Sequence, residues 1–283
     1  MKKHTILSII LFAFFATPLR AQQSDSVLIR KARINSVFTS EHLSELSGNP
    51  KTYYSKDFDI RAKVLQKLMR GCIDYYEQNF PDKKFNVPFY ILDKSDWIKP
   101  QLGYPYGMPF YSKDNIIMVI GAEKNALRRL TGLPDDPEKS DSVLSTFDFQ
   151  PVHELGHYFF FTLNGVYKEK WLNEVLATYF LICYIKEKHL APTLEQDLKA
   201  DYPVPHKTLG DFEKLYLDVG PANYHWYQQK FAKLGFSLYP QFKLELIRKV
   251  LENYAPGGKN MDGLSLLKTL APAKMDAWLK EMQ

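Results

Sequence analysis

The chain has 283 residues, of which 45% are hydrophobic and 24% are charged, and its formal net charge is +5. This composition is typical of an ordinary globular protein with enough apolar residues to build a core. So small a net charge argues against a nucleic-acid partner, which binds through a strongly basic surface.

Residues 1–21 have the pattern of a signal peptide. Lys2 and Lys3 precede an apolar run at residues 6–16, and the segment ends with Leu-Arg-Ala at 19–21. The run has 11 residues, fewer than the roughly 20 needed to span a bilayer, and no cysteine follows it for lipoprotein processing. Cleavage would remove three basic residues and no acidic one, which lowers the charge to +2. The sequence therefore predicts a secreted or periplasmic protein without stable membrane insertion.

One helix and two strands are predicted in the next part of the chain. Residues 58–80 carry apolar residues at helical spacing and stop before Pro81, which predicts a helix. Residues 85–92 and 115–122 are short runs rich in Val, Ile and aromatic residues, which predicts strands. Two prolines and a glycine at 104–115 indicate a loop or an irregular edge between them.

The second half of the chain has the pattern of successive helices. Residues 131–142 have the composition of a surface loop, and helices broken at Gly and Pro follow from about residue 143. Because strands come first and helices afterwards, the pattern predicts an α+β fold with a small N-terminal mixed sheet. We divide the mature chain into an α/β part at 22–142 and a helical part at 143–283, which together form one unit.

Cys72 and Cys183 are the only cysteines in the chain. In an oxidising compartment they could pair, but two thiols in a chain of this length can equally be buried and free. We favour the second interpretation, since free cysteine behaves as a small apolar core residue.

The sequence "VHELGHYFFF" at 152–161 has two histidines four residues apart. Positions four apart on a helix lie about 40° from each other, so His153 and His157 can bind one metal ion. Glu154 lies beside such an ion, where its carboxylate can take a proton from water. Pro151 is of a type favoured at the first helical position, which predicts that the motif occupies the first turns of a helix.

A third ligand is predicted on the next helical segment. Catalytic zinc takes three protein ligands and leaves a fourth position for water, and two His with one Glu is a standard set. Residues 170–188 form a strongly helical, mostly apolar segment with Glu174 near its start. A carboxylate among apolar neighbours needs compensation for its burial, which a Zn²⁺ ion would supply.

These residues resemble a known group of enzymes. His153-Glu154-x-x-His157, followed by Glu174 within "WLNEVLATYF", is similar to the gluzincin zinc metallopeptidases, which include thermolysin and aminopeptidase N-like enzymes. The resemblance implies a zincin-like helical catalytic part, with His153, His157 and Glu174 as zinc ligands and Glu154 as general base. It covers roughly residues 58–250 and is sharpest at 153–180.

The family also implies a Tyr or His on a later helix that stabilises the oxyanion of the reaction. Residues 220–235, "GPANYHWYQQKFAKLG", resemble that helix. The donor maps onto Tyr224, and Tyr227 and His225 remain alternatives.

Two departures from the family pattern bear on specificity and on support of the site. Residues 106–121 stand where the family has its substrate-binding edge strand, but 107–110 lack the acidic residue of the aminopeptidases, which favours endopeptidase action. Glu123 is an alternative acid nearby. Thr178 stands where thermolysin-like enzymes carry an Asp that supports a zinc-bound histidine.

The sequence therefore predicts an exported zinc metallopeptidase that hydrolyses peptide or protein substrates with zinc-activated water and Glu154 as general base. An alternative from another class is a non-hydrolytic zinc-containing binding module, whose partner surface would be the C-terminal helices at 241–283. A third interpretation is a zinc hydrolase that acts on glycoprotein or cell-wall peptide.

Overall fold

A computed structural model of the chain describes residues 43–99, 106–112, 115–121, 137–164, 168–190, 194–195, 198 and 203–282. The predicted signal peptide and Glu123 lie outside these residues. Within the described parts of the chain, no helix is both long enough and apolar enough to cross a membrane.

Five short strands form one mixed sheet in the first part of the chain. They are β1 (Ser44–Leu46), β2 (Thr52–Tyr54), β3 (Phe89–Leu92), β4 (Phe110–Ser112) and β5 (Ile116–Ile120). Their order is β1-β2-β3-β5-β4, with β2, β3 and β5 parallel and with β1 and β4 antiparallel at the two edges. Every residue of β3 and β5 is buried, which explains why both are continuous apolar runs in the sequence.

Both predicted strands are confirmed, although β3 is shorter than the predicted 85–92. Pro88 directly precedes β3, and proline has no N–H to donate to a sheet ladder. The segment at 104–115, predicted as a loop or an irregular edge, contains β4. This strand lies at the edge of the sheet and is only three residues long.

Nine helices lie in the described residues, and all but two of them follow the sheet. They are α1 (Asp59–Asn79), α2 (Lys94–Ile98), α3 (Pro137–Asn164), α4 (Lys170–Glu187), α5 (Leu209–Leu215), α6 (Pro221–Phe242), α7 (Glu245–Tyr254), α8 (Gly263–Leu270) and α9 (Pro272–Glu281). A 3₁₀ turn, Tyr216–Val219, joins α5 to α6. The helix predicted at 58–80 is confirmed as α1, and the fold is α+β as predicted, with a small sheet followed by a mostly helical remainder.

The start of α3 differs from the prediction. The helix begins at Pro137 and not at Pro151, so residues 137–142 of the predicted loop are helical and the motif lies in the second half of a long helix. Proline is favoured at the first helical position, and Pro137 occupies that position. Pro151 instead lies inside α3, where its missing N–H removes one hydrogen bond of the helix.

Contacts divide the described chain into two compact units. One contains the sheet, α1 and α2 together with residues 150–154, and the other contains residues 141–149 and the chain from 155 onward. The predicted domain boundary at residue 142 stays a prediction. In the helical unit, α4 is the central helix, since most of its residues are buried and it packs against α5 and α6.

Both cysteines are buried and neither forms a disulfide, which agrees with the favoured interpretation. Cys72 lies on α1, where burial raises the pKa of its thiol. Cys183 lies on α4, with its Sγ 3.7 Å from the carbonyl oxygen of Lys243.

Candidate metal centre

Three metal-ligating side chains meet in the structure. His153 and His157 lie on α3 and Glu174 lies on α4, and one ligand atom of each is within 4.8 Å of the other two. His157 Nε2 and Glu174 Oε2 are 3.7 Å apart. The structure therefore brings together the three residues that the sequence predicts as zinc ligands, although zinc binding itself stays a prediction.

A glycine allows the two helices that carry these residues to approach closely. A Cβ atom on Gly156 would lie 2.9 Å from Ala177 Cα and 3.0 Å from the Ala177 carbonyl oxygen. Only glycine, which has no Cβ, fits so tight a backbone contact. Gly156 precedes His157, and Ala177 follows Glu174 by less than one turn, so this contact lies beside both of these predicted ligands.

Glu174 is an acidic residue held inside the helical unit. Its exposed fraction is 2%, and both of its carboxylate oxygens accept hydrogen bonds. The Tyr216 hydroxyl donates to Oε1 at 2.7 Å, and the Gln228 amide donates to Oε2 at 2.8 Å. Both donors are neutral, so they satisfy the oxygens without cancelling the charge, and a bound cation would compensate the buried charge further.

Sequence reasoning did not single out Tyr216 or Gln228. Tyr216 is one of 18 tyrosines and follows a short helix, so nothing in the local pattern marks it. Gln228 lies one helical turn after Tyr224 on α6, in the segment that resembles the donor helix. That i, i+4 spacing was the one signal available for it.

Glu154 contacts the edge of the sheet. Its side chain is buried, and its Oε2 accepts a hydrogen bond of 2.7 Å from the backbone N–H of Tyr111 in β4. Alternate residues of an antiparallel edge strand direct their backbone groups away from the neighbouring strand. The N–H of Tyr111 therefore lies on the open side of β4, on the strand that the family resemblance assigns to substrate.

Tyr224 lies next to a residue that contacts Glu174. Its ring is half-buried, and its centroid is 6.1 Å from the rings of both Phe212 and Tyr216. Since the Tyr216 hydroxyl donates to Glu174, Tyr224 is one residue removed from the predicted ligand.

The two alternative donors have other hydrogen-bond partners. Tyr227 is fully buried, and its hydroxyl donates to the Thr208 carbonyl oxygen at 2.8 Å. Burial lowers the pKa of His225 to about 4, so its ring is neutral at pH 7. His225 Nε2 is 3.0 Å from Gln229 Nε2, and the amide is the donor in this pair.

Comparison with known proteins gives no relative from which a function could be transferred. No protein-family model, characterised protein or solved structure matches the chain. The similarity to gluzincins is therefore carried by the sequence motif and by the placement of its residues.

The donor set fits a zinc ion. Two imidazole nitrogens and one carboxylate oxygen are the ligands that catalytic zinc takes most readily, at roughly 2.0–2.2 Å each. In a tetrahedral arrangement, such bonds place ligand atoms about 3.3 Å from one another. The 3.7 Å between His157 Nε2 and Glu174 Oε2 is close to that spacing.

Proposed function

We propose that the protein is an exported zinc-dependent metallopeptidase with a mainly helical, zincin-like catalytic part that carries the motif helix α3. The observation that carries the proposal is the meeting of His153, His157 and Glu174 within 4.8 Å, with Glu154 directly after the first histidine. This combination supplies a metal-ligand set and an adjacent carboxylate, which are the two requirements of metal-assisted peptide hydrolysis.

His153, His157 and Glu174 would hold the ion. When bound, zinc supplies a Lewis acid that polarises a peptide carbonyl and increases the acidity of water. The protein's own contribution is to fix these three side chains, and the tight contact between Gly156 and Ala177 does so for His157 and Glu174.

Glu154 is the proposed general base. Its carboxylate would take a proton from the attacking water and pass it to the departing amine. The hydrogen bond from Tyr111 N–H to Oε2 orients this carboxylate beside β4. A base held in this way loses little orientational freedom on reaching the transition state.

Tyr224 is the proposed hydrogen-bond donor to the oxyanion. The position of Tyr224 supports this role. Its ring packs against Tyr216, and Tyr216 contacts the predicted ligand Glu174. Tyr227 and His225 have less support, since their polar atoms pair with Thr208 and Gln229.

The proposed substrate is a peptide in extended conformation. β4 is an edge strand, and in other proteins extended peptides bind beside strands of this kind. Residues 107–110 carry no acidic side chain to hold a free amine, which favours cleavage within a chain over removal of its first residue.

The binding-module alternative receives less support from the structure. It assigned a partner surface to the C-terminal helices, whose apolar residues would have to be available. These residues are instead buried on α7, α8 and α9: Leu246, Ile247, Val250, Leu266, Leu267, Met275 and Trp278.

Replacement of Glu154 by Gln tests the proposal. The amide cannot accept the proton, so we expect hydrolysis to fall by roughly 10²–10⁴-fold while zinc stays bound. The zinc-loaded protein and the variant are incubated with a mixed peptide library, products are identified by mass spectrometry, and metal content is measured separately.

Glu245→Gln is the matched control, because Glu245 lies exposed on α7 and pairs only at the surface with Lys249. This variant should cut like the native protein. Full activity of Glu154→Gln would exclude the mechanism, and a zinc-loaded native protein that cuts no peptide would favour the binding module. The positions of the cuts distinguish endopeptidase from aminopeptidase action.

A further inference from the structure

Both oxygens of Glu174 have a defined partner, and the two partners differ. Oε1 accepts from the Tyr216 hydroxyl at 2.7 Å, whereas Oε2 accepts from the Gln228 amide at 2.8 Å. Oε2 is the oxygen found 3.7 Å from His157 Nε2. The carboxylate is thus oriented, with one oxygen toward the predicted ligand His157 and the other toward Tyr216.

The hydroxyl of Tyr216 is held in place by its surroundings. Its ring packs against Phe212 with centroids 5.4 Å apart and against Tyr224 at 6.1 Å, and Lys170 Nζ lies 5.5 Å from the ring centroid. The side chain therefore has aromatic neighbours on two elements and a cation from α4. Such packing leaves few rotamers for the ring.

The backbone at Tyr216 has an unusual conformation that supports a special role. Its φ angle is +49°, in the left-handed region that residues other than glycine rarely adopt. Strain of this kind persists where the surrounding structure imposes it, and it is enriched at functional sites. Here it turns the chain sharply at the end of α5, where the Tyr216 hydroxyl reaches Glu174.

The preceding helix is anchored to the start of α4. The Glu213 carboxylate accepts from the backbone N–H of Trp171 at 2.9 Å, and Lys170 Nζ donates to the Glu213 carbonyl oxygen at 2.8 Å. Glu213 thereby satisfies one of the N–H groups that the first turn of a helix leaves without an intrahelical acceptor. Tyr216 lies three residues after this anchor, so α5 carries it to a fixed place over Glu174.

We propose that Tyr216 and Gln228 are positioning residues that make Glu174 a one-oxygen metal ligand. The hydrogen bond from Tyr216 keeps Oε1 turned away from the proposed metal site. The hydrogen bond from Gln228 holds Oε2 on the side of His157. This assignment rests on the proposed metal site. Its consequence is that one coordination position stays open for water or substrate, because a carboxylate bound through both oxygens would occupy it.

The test measures metal binding by the purified full chain and by Tyr216→Phe and Gln228→Leu. Zn²⁺ affinity is measured in competition with a chromophoric chelator, and Co²⁺ is bound in place of zinc to record its visible absorption. We expect each variant to bind Zn²⁺ about 10–100-fold more weakly, the usual effect of removing a partner of a metal ligand. In Tyr216→Phe the Co²⁺ bands should also weaken, since a freed Oε1 raises the coordination number.

Tyr227→Phe and Gln229→Leu are the matched controls on α6. Each removes the same chemical group from a residue that pairs with Thr208 or His225 rather than with Glu174. Their Zn²⁺ affinity and Co²⁺ spectrum should match those of the native protein, even if their stability falls. This comparison separates positioning of Glu174 from a general structural effect.

The outcomes distinguish this proposal from the proposed function. Equal Zn²⁺ affinity and Co²⁺ spectra in Tyr216→Phe and the native protein would overturn the positioning role. A second outcome is that the variants bind Zn²⁺ more weakly than the native protein, but the native protein cuts no peptide. This result would support the positioning role and reject the peptidase. A native protein that binds neither ion would overturn both.

Discussion

His225 on α6 is a half-buried residue whose protonation should affect the stability of the fold. Burial lowers the pKa of its imidazole from 6.5 to about 4, so the folded protein keeps the ring neutral. Between these two values the unfolded chain binds a proton that the folded protein does not. Stability therefore rises with pH across this window and is lost as the solution is acidified.

His225→Gln should remove this acid sensitivity. On acidification from pH 7 to pH 4.5, the native protein should lose about 2–3 kcal/mol more of its free energy of unfolding than the variant. Urea denaturation at the two pH values, with a chelator present to keep metal absent, measures the difference. Parallel losses in both proteins would show that His225 is not held neutral by burial.

Single residues also show how far the sequence predicts the site. His153, His157 and Glu174 were predictable because helical spacing fixes the histidines and because an acid in an apolar helix is conspicuous. Tyr216 was not predictable, since its role depends on a sharp turn of the chain after α5 and on the anchor between Glu213 and α4. Contacts between elements distant in sequence leave no local pattern.

At the scale of elements, the packing of α3 on α4 depends on Gly156. In Gly156→Ala the new Cβ would lie 2.9 Å from Ala177 Cα, so the two helices must separate. We expect a loss of about 1–3 kcal/mol in the free energy of unfolding, the usual cost of overpacking. Zn²⁺ affinity should fall as well, because His157 and Glu174 move apart with their helices. Urea denaturation and zinc titration measure the two effects.

Gly210→Ala is the control for the same chemical change. Gly210 lies in α5, and the nearest atom to a Cβ there is Thr208 Oγ1 at an ordinary 3.6 Å. Alanine favours a helix over glycine, so this variant should be stabilised by roughly 0.5–1 kcal/mol. If Gly156→Ala behaved like Gly210→Ala, the tight contact between α3 and α4 would not be the feature that spaces the ligands.

The boundaries of elements were less predictable than their types. The buried strands β3 and β5 and the amphipathic α1 follow from apolar patterns that persist over the whole element. The start of α3 does not follow from such a pattern, because Pro137 and Pro151 are both residues of a type favoured at the first helical position. The folded protein accommodates Pro151 inside the helix with the loss of one hydrogen bond. The sequence pattern alone does not show which of the two prolines begins the helix.

At the scale of the whole molecule, metal binding should stabilise the fold. A ligand that binds only the folded state adds about 2.7 kcal/mol at a free concentration 100 times its dissociation constant. We expect Zn²⁺ to raise the urea midpoint of the native protein accordingly, since the predicted ligands come from two separate helices. Mg²⁺, which prefers a shell of oxygen ligands, should have little effect.

Glu174→Gln provides the comparison for this measurement. The variant keeps a side chain of similar shape on α4 but lacks the charge that the ion would neutralise, so most of the zinc-dependent gain should disappear. An equal gain in the native protein and the variant would place the stabilising zinc ion at some other group.

The early start of α3 bears on why an acid stands at position 154 at all. An acidic side chain in the first turn of a helix is favoured by the partial positive charge of the N-terminal N–H groups, an effect that fades within that turn. Glu154 lies 17 residues after Pro137, far beyond its reach. The charge at the start of the helix therefore does not account for a carboxylate here, and what the structure places beside it is the backbone N–H of Tyr111 in β4.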